Sequence, residues 1–353
     1  MIEKLVYIPL FSFLVFSIPL FRKIYFLESI KKEYSYFRKK RYDYFDFLKG
    51  LAILAVILIH INGFFYDDIY RDNIFVVAFN NFLRFAIPFF LISSGLLLST
   101  KNGLYSFYSK KMIRIFLPYS FLTIIITAYY KASYFDIFKA FLLGTASPPY
   151  YFIALLLQLY LIYPFLLRLS KFKYFLHIVF LINIFYFIFA LKYLFFNTLL
   201  FPRFIFLFSY GVFAKDRFLS CDKNFSLKEK FFYFGVIFSY LAYSFYFKSY
   251  FYNPRLFYGI ALFNLLFIFK DYFKKKFFYN LFVCLGKNSL WIFLLHYFVI
   301  QAIYTIIKDM NIAFTAQYVL FVFSGLILSV AFSFLIKNIY IFFFNLVIPS
   351  KQN

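Results

Sequence analysis

The sequence predicts an all-α polytopic membrane protein, and three observations support this fold class. First, 64% of the 353 residues are hydrophobic and 15% are charged, whereas soluble domains average about 45–50% apolar and about 25% charged residues. Second, the mean hydropathy is +0.79. Third, the chain contains a series of apolar segments close to the roughly 20 residues that a helix needs to cross a bilayer.

Eleven apolar segments are candidates for membrane-spanning helices. They are 5–21, 47–66, 74–98, 115–130, 150–167, 174–191, 199–214, 231–247, 256–269, 289–307 and 317–348. The polar stretch 22–46 after the first segment is dense in Lys and Arg. It offers no small-residue cleavage site of a secretory signal, so we expect the first helix to be retained.

The cationic residues predict the orientation of the chain. Of the 38 Lys and Arg residues, 27 fall in one set of alternating loops and 7 in the other. The cationic set comprises 22–49, 101–114, 168–173, 215–230, 270–287 and the tail after 349. The positive-inside rule places this set and the C-terminus in the cytoplasm. The net charge of +24 therefore reports orientation, and we expect no nucleic-acid partner.

Cysteines and histidines are few. Cys221 and Cys284 cannot form a disulfide framework, and both fall in segments predicted to be cytoplasmic, where thiols stay reduced. His60, His177 and His296 are too few for a His-rich metal site, so we expect no metal. P-loop, HExxH, GxSxG and CxxC motifs are absent from the sequence.

His60 is an ionisable residue inside a predicted span, and such residues are costly and often functional. Lys49 precedes it by eleven residues, which is about three helical turns, so both lie on one helix face roughly 16–17 Å apart. With Lys49 at the cytoplasmic edge, His60 lies near the middle of the membrane. An imidazole there can abstract a proton or carry an acyl group. The alternative is a polar helix-packing contact.

Arg84 lies about ten residues into its span from the outer side, at a depth similar to that of His60. A guanidinium cannot be neutralised there, so it needs a partner or a water-filled cavity. The alternative to a functional role is a structural pair with a backbone carbonyl or with Asp46. Arg203 poses the same question, and Ser94-Gly95 is consistent with small-residue helix packing.

Three cations, Lys110, Lys111 and Arg114, precede Pro118 at the predicted cytoplasmic face. They could be a positive-inside anchor. They could instead bind the phosphates of a multiply phosphorylated cytosolic ligand.

Five segments together resemble the acyltransferase family 3 membrane proteins, over about residues 43 to 348. They are FDFLKGLAILAVILIH, RFAIPFFLISSGLLLS, YSKKMIRIFLPY, YFIALLLQLYLIYP and SLWIFLLHY. The first is similar to the family's opening core helix, which carries an Arg or Lys, ten residues and a His, as at Lys49 and His60. The third is similar to the family's basic RxxR stretch, with Lys111 replacing its first arginine.

The resemblance implies a ten-helix core over 43–353, and residues 1–42 then form an extra N-terminal transmembrane helix with a basic linker. It also implies an integral membrane O-acetyltransferase that moves an acyl group from cytosolic acyl-CoA, usually acetyl-CoA, to a hydroxyl of a cell-surface polysaccharide or lipid-linked sugar. The partners implied are acyl-CoA, a carbohydrate acceptor, the lipid bilayer and a glycan assembly system.

The resemblance also assigns residues to roles. The catalytic set is His60, Lys49 and Arg84; the donor-binding set is Lys110, Lys111 and Arg114; the acceptor-binding set is Ser94, Tyr151 and His296. Tyr151 occupies the family's usual Trp position.

Two other functions remain open from the sequence. A transporter or flippase for a glycan precursor would share the many helices and basic loops, although such a protein usually carries carboxylates deeper in the membrane. A catalytically inactive scaffold in a polysaccharide assembly complex would retain the same motifs. All three functions predict a multi-pass protein of the cytoplasmic (inner) membrane.

Overall fold

The computed structural model describes residues 42–65, 74–130, 133–193, 200–219, 225–247 and 252–347. These residues are helices and short connections, with no strand among them. The first predicted span, 5–21, and Cys221 lie outside the described residues.

The described part of the chain contains sixteen α-helices in sequence. They are α1 Asp43–Phe65, α2 Ile74–Phe82, α3 Ala86–Leu97, α4 Leu104–Lys111, α5 Leu117–Tyr129, α6 Tyr134–Leu143, α7 Tyr151–Leu169, α8 Phe175–Tyr193, α9 Ile205–Phe213, α10 Lys215–Leu219, α11 Leu227–Phe247, α12 Tyr252–Ile268, α13 Lys270–Lys274, α14 Tyr279–Lys287, α15 Ser289–Ile307 and α16 Phe314–Val347. Short 3₁₀ turns cover Leu83–Phe85, Pro148–Tyr150 and Phe201–Arg203, and a π-helical turn covers Met112–Phe116.

Six helical stretches of the described chain are long and apolar enough to cross a membrane. They are Asp43–Phe64, Val77–Leu97, Leu104–Tyr129, Pro148–Leu169, Ser289–Ile307 and Thr315–Phe342. Phe175–Ile188 and Arg255–Ile268 are shorter apolar helices. The predicted fold class, an all-α polytopic membrane protein, is confirmed.

Several segments assigned to loops from the sequence are helical in the structure. Helices α6 and α14 fall within the predicted loops 131–149 and 270–287. They are too short to span a bilayer. Ser133 caps the N-terminus of α6, and its side chain accepts the Asp136 N–H. Gly144 follows the last residue of the helix with a φ of 65°, a left-handed conformation that favours glycine.

The chain forms two compact units. Among the described residues, one contains 42–98 and 165–336, and the other contains 99–164 and 337–347. In the first unit, α1 packs closely against α14 because glycines remove the side chains at the crossing. A Cβ on Gly50 would lie 2.0 Å from the Phe282 carbonyl oxygen, and one on Gly286 would lie 1.7 Å from that of Asp46.

Ion pairs mark the segments of this unit that we predict to be cytoplasmic. Helix α11 begins with a capping box, in which Ser226 and Glu229 exchange side-chain to backbone hydrogen bonds of 2.9 and 3.2 Å. Arg217 also donates to Glu229 at 2.5 Å, and this bond holds the pKa of the Glu229 carboxyl below its usual value. A hydrogen bond from Lys274 likewise lowers the pKa of Asp271.

In the second unit, α4 continues through the π-helical turn into α5. The Tyr119 hydroxyl donates to the Phe141 carbonyl oxygen at 2.7 Å, which ties α5 to α6. The Tyr108 hydroxyl donates to the Leu161 carbonyl oxygen at 2.9 Å and ties α4 to α7.

Candidate functional site

Lys49 lies near the end of α1 that we predict to be cytoplasmic, among ion pairs. Its Nζ atom is 3.6 Å from Oδ1 of the buried Asp46, and Lys287 pairs with Asp43 at 3.2 Å. The three helical turns between Lys49 and His60 correspond to about 16–17 Å along the axis. Lys49, a predicted catalytic residue, therefore lies near the N-terminal end of α1, away from the His60 imidazole.

His60 meets a second histidine inside the helix bundle. Its ring centre is 5.1 Å from that of His296 on α15, with the ring planes at 50°. His296 is fully buried, and His60 is partly exposed. The Tyr297 ring stands edge-on to His60 at 5.5 Å. Two residues that the sequence assigned to different roles thus lie side by side.

The hydrogen bonds of His296 identify its neutral tautomer. Nδ1 lies 3.0 Å from the Ile292 carbonyl oxygen and 2.8 Å from that of Phe293. Both partners are acceptors, so Nδ1 carries the proton and Nε2 carries a lone pair. Nε2 is buried and has no hydrogen-bond partner among the described residues.

Four aromatic rings pack about one helical turn beyond His60. We call Phe64, Tyr297, Tyr304 and Phe321 the aromatic cap. Phe64 lies 4.9 Å from Tyr304 and 5.7 Å from Tyr297, between ring centres, and the buried Phe321 ring completes the cluster at 5.8 Å from Tyr304. These aromatic contacts join α1, α15 and α16 beside the histidine pair.

Arg84 is carried by the 3₁₀ turn Leu83–Phe85, which interrupts the span between α2 and α3. In this turn the Ala86 N–H bonds to the Leu83 carbonyl and not to the Phe82 carbonyl, as it would in an α-helix. The Tyr258 hydroxyl on α12 donates to that carbonyl at 2.7 Å. A 3₁₀ segment inside a helix often marks a functional hinge or strain, and in this protein it fixes the backbone on which Arg84 stands.

A second tyrosine supports the same turn. The Tyr240 hydroxyl on α11 lies 3.4 Å from the Asn81 carbonyl oxygen, and its ring stacks on Tyr258 at 4.4 Å. Arg255 and Arg84 both lie near enough to Tyr240 for their charges to act on it. His60 lies beside His296, and Arg84 is near enough for its charge to act on His60. The structure therefore gathers His60, His296 and Arg84 into one electrostatic neighbourhood.

Ser94 lies ten residues after Arg84, or about 15 Å along the helix, and precedes a close helix contact. A Cβ on Gly95 would lie 2.2 Å from the Phe208 carbonyl oxygen on α9, and a Cβ on Gly211 would lie 2.2 Å from that of Ile92. The sequence suggests helix packing for the pair Ser94-Gly95, and the structure shows such packing at Gly95.

The basic cluster of the second unit lies on a distorted helix. Lys110 and Lys111 end α4, and Arg114 lies in the π-helical turn Met112–Phe116. The Lys111 ammonium stands 4.9 Å from the Tyr160 ring centre and 5.6 Å from that of Phe107, so cation–π contacts hold it. In the same unit, Tyr151 begins α7 beside the buried Tyr150.

Sequence reasoning missed the supporting residues. Tyr240 and Tyr258 are two of 35 tyrosines, and their hydroxyls bond to carbonyls far away in the chain. A local pattern cannot report such a contact.

The described residues contain no cluster of three or more His, Cys, Asp or Glu that could hold a metal ion.

These features define a multi-pass membrane protein with a pair of histidines, one of them fully buried, and an arginine within its spans. The family model for an acyltransferase domain, acyltransferase family 3, matches residues 42–337. The chain therefore belongs to acyltransferase family 3. No curated protein matches the sequence, and no solved structure matches it either.

Proposed function

We propose that this family member is an O-acetyltransferase of the cytoplasmic membrane with its C-terminus inside. It moves an acetyl group from acetyl-CoA to a hydroxyl of a cell-surface polysaccharide or lipid-linked sugar. The observation that carries the proposal is the placement of His60 beside His296 and within the field of Arg84, under the aromatic cap. This arrangement offers a base and a cation close together within the helix bundle.

His60 supports two routes to the same product. In direct transfer, its imidazole takes the proton of the acceptor hydroxyl, the oxygen attacks the thioester carbonyl, and the leaving thiolate of CoA receives the proton. In a relay, an imidazole nitrogen attacks the thioester and releases CoA, and the acceptor hydroxyl then takes the acetyl group from the acyl-imidazole. In both routes Arg84 stabilises the developing oxyanion.

The donor site that we propose is the basic cluster Lys110, Lys111 and Arg114. CoA carries several phosphates, and arginine binds phosphate through two parallel N–H groups. The π-helical turn changes the helical register between Lys111 and Arg114, and such turns are frequent at functional sites. The catalytic role of Lys49 and the acceptor-binding roles of Ser94 and Tyr151 remain predictions.

Replacing His60 by alanine tests the chemical step. We expect His60→Ala to abolish acetylation of the surface glycan while the protein still inserts into the membrane, because the imidazole is the base or the acyl carrier. The measurement is the acetyl content of surface polysaccharide in cells that express each variant. His177→Ala is the matched control, since His177 is exposed at the start of α8. Near-normal acetylation by His60→Ala would contradict the mechanism.

Replacing Arg114 by alanine tests the donor site. We expect the purified protein to bind CoA and Arg114→Ala to weaken that binding by about tenfold, which corresponds to the loss of one charge-assisted phosphate contact. Arg168→Ala is the control, because Arg168 is an exposed arginine that we also place on the cytoplasmic side. A wild-type protein that binds no CoA would instead favour the transporter or flippase function.

A further inference from the structure

The Nε2 atom of His296 is a buried acceptor that needs a donor. Its ring is held by the Ile292 and Phe293 carbonyls, which fix the proton on Nδ1. An unsatisfied buried polar atom destabilises the folded protein, and the membrane interior offers no bulk water to reduce this effect. The position of Nε2 therefore calls for a hydrogen-bond donor next to it.

His60 is the donor that the structure places beside it. A neutral imidazole carries one N–H, and the two ring centres are 5.1 Å apart. Hydrogen bonds from N–H donors span about 2.9 Å, and the nitrogens lie on the perimeter of each ring, so a His60 nitrogen turned toward His296 would come within reach of Nε2. The Phe293 ring also lies close to His296, at 5.7 Å, and a phenyl ring has no donor.

We propose that His296 is a positioning residue that sets the tautomer of His60 by accepting its N–H through Nε2. This inference rests on the proposed function and deepens it. With one nitrogen of His60 committed to His296, the other carries the lone pair and faces the acceptor hydroxyl or the thioester. His296 transfers no proton, because its own proton stays on Nδ1 between two carbonyls.

This positioning role differs from the acceptor-binding role that the sequence predicts for His296. A residue that orients the base changes kcat, because the wrong tautomer cannot take the proton. A residue that binds acceptor changes KM first. In serine proteases, whose catalytic histidine is oriented by a carboxylate, a wrong tautomer lowers kcat about 10⁴-fold. In this protein we expect the loss of His296 to lower kcat about 100-fold, because a neutral imidazole orients His60 less strongly than a carboxylate would.

Three substitutions of His296 separate the two ring nitrogens. Gln carries an amide oxygen near the position of Nε2 and preserves the distal acceptor. Asn reaches only to the position of Nδ1, so it keeps the bond to the backbone carbonyls and loses the distal acceptor. Leu removes both. We expect kcat to fall about 100-fold in His296→Asn and His296→Leu, and less than about tenfold in His296→Gln. We expect the KM for acetyl-CoA to stay within about twofold in all three variants.

Nitrogen NMR gives a readout that does not depend on activity. The chain has three histidines, so ¹⁵N-labelled histidine yields few signals, and His177→Gln and His60→Gln assign them. We expect His60 in one neutral tautomer in the wild-type protein and in His296→Gln, and a mixture of tautomers in His296→Leu. Size-exclusion chromatography of each variant in detergent checks that it is folded.

The outcomes distinguish this inference from the proposed function. If the wild-type protein transfers no acetyl group, the proposed function fails, and the NMR result still decides whether His296 orients His60. If His60→Ala is inactive while folded His296→Leu keeps full kcat and a single His60 tautomer, this inference alone is wrong. A rise in acceptor KM with unchanged kcat would also overturn it, in favour of direct acceptor binding.

Discussion

At the residue scale, ionisable groups inside the spans were predictable and their hydrogen-bond partners were not. His60 and Arg84 stand out in the sequence because a charge or an imidazole in a membrane is costly. Tyr258 does not stand out, yet its hydroxyl donates to the Phe82 carbonyl oxygen at the 3₁₀ turn that carries Arg84. The chain separation of 176 residues leaves no local signal.

Removing the Tyr258 hydroxyl tests the support of Arg84. We expect Tyr258→Phe to lower the free energy of unfolding by about 1 kcal/mol, because the Phe82 carbonyl oxygen loses its hydrogen bond from the Tyr258 hydroxyl. Tyr240→Phe should cost less, since its contact with Asn81 is longer, at 3.4 Å. Thermal unfolding in detergent measures both, with the exposed Tyr134→Phe as control. Equal stability of all three variants would show that the turn does not depend on Tyr258.

At the element scale, long apolar segments were predicted well and local distortions were not. Segment 289–307 coincides with α15, and segment 47–66 agrees with α1 to within a few residues. The break at Leu83–Phe85 and the π-helical turn at Met112–Phe116 interrupt helices without a change of hydrophobicity. Such breaks depend on tertiary hydrogen bonds, so a periodic pattern cannot place them.

The crossing of α3 and α9 shows how small residues set helix spacing. Because a Cβ on Gly211 would lie 2.2 Å from the Ile92 carbonyl oxygen, the helices must separate to accept it. We expect Gly211→Ala to destabilise the protein by about 1–3 kcal/mol, as overpacking does. Gly235→Ala on α11 is the matched control, since nothing lies within 4 Å of its Cβ position. Thermal unfolding that shifts equally in both variants would contradict this reading of the crossing.

At the scale of the whole molecule, the positive charge predicts the orientation of the protein in the membrane. The basic loops alternate along the chain, and the ion pair between Lys287 and Asp43 connects two segments that the positive-inside rule places on one side. This sidedness requires α1 and α14 to meet at the cytoplasmic face. A chemical label that reads one side of the membrane can test it.

Cys284 provides that label site, because it is an exposed free thiol on α14. With Cys221→Ser in the background, we expect a membrane-impermeant maleimide to label Cys284 only after the cytoplasmic side is opened, since loop 270–287 is predicted to lie inside. Asn311→Cys in a chain without Cys221 and Cys284 is the opposite control, because Asn311 is exposed in the loop predicted to lie outside. Labelling of Cys284 in intact cells would show that the topology is the reverse of the predicted one. The cations of the proposed CoA site would then face away from the cytosol, where the donor is found.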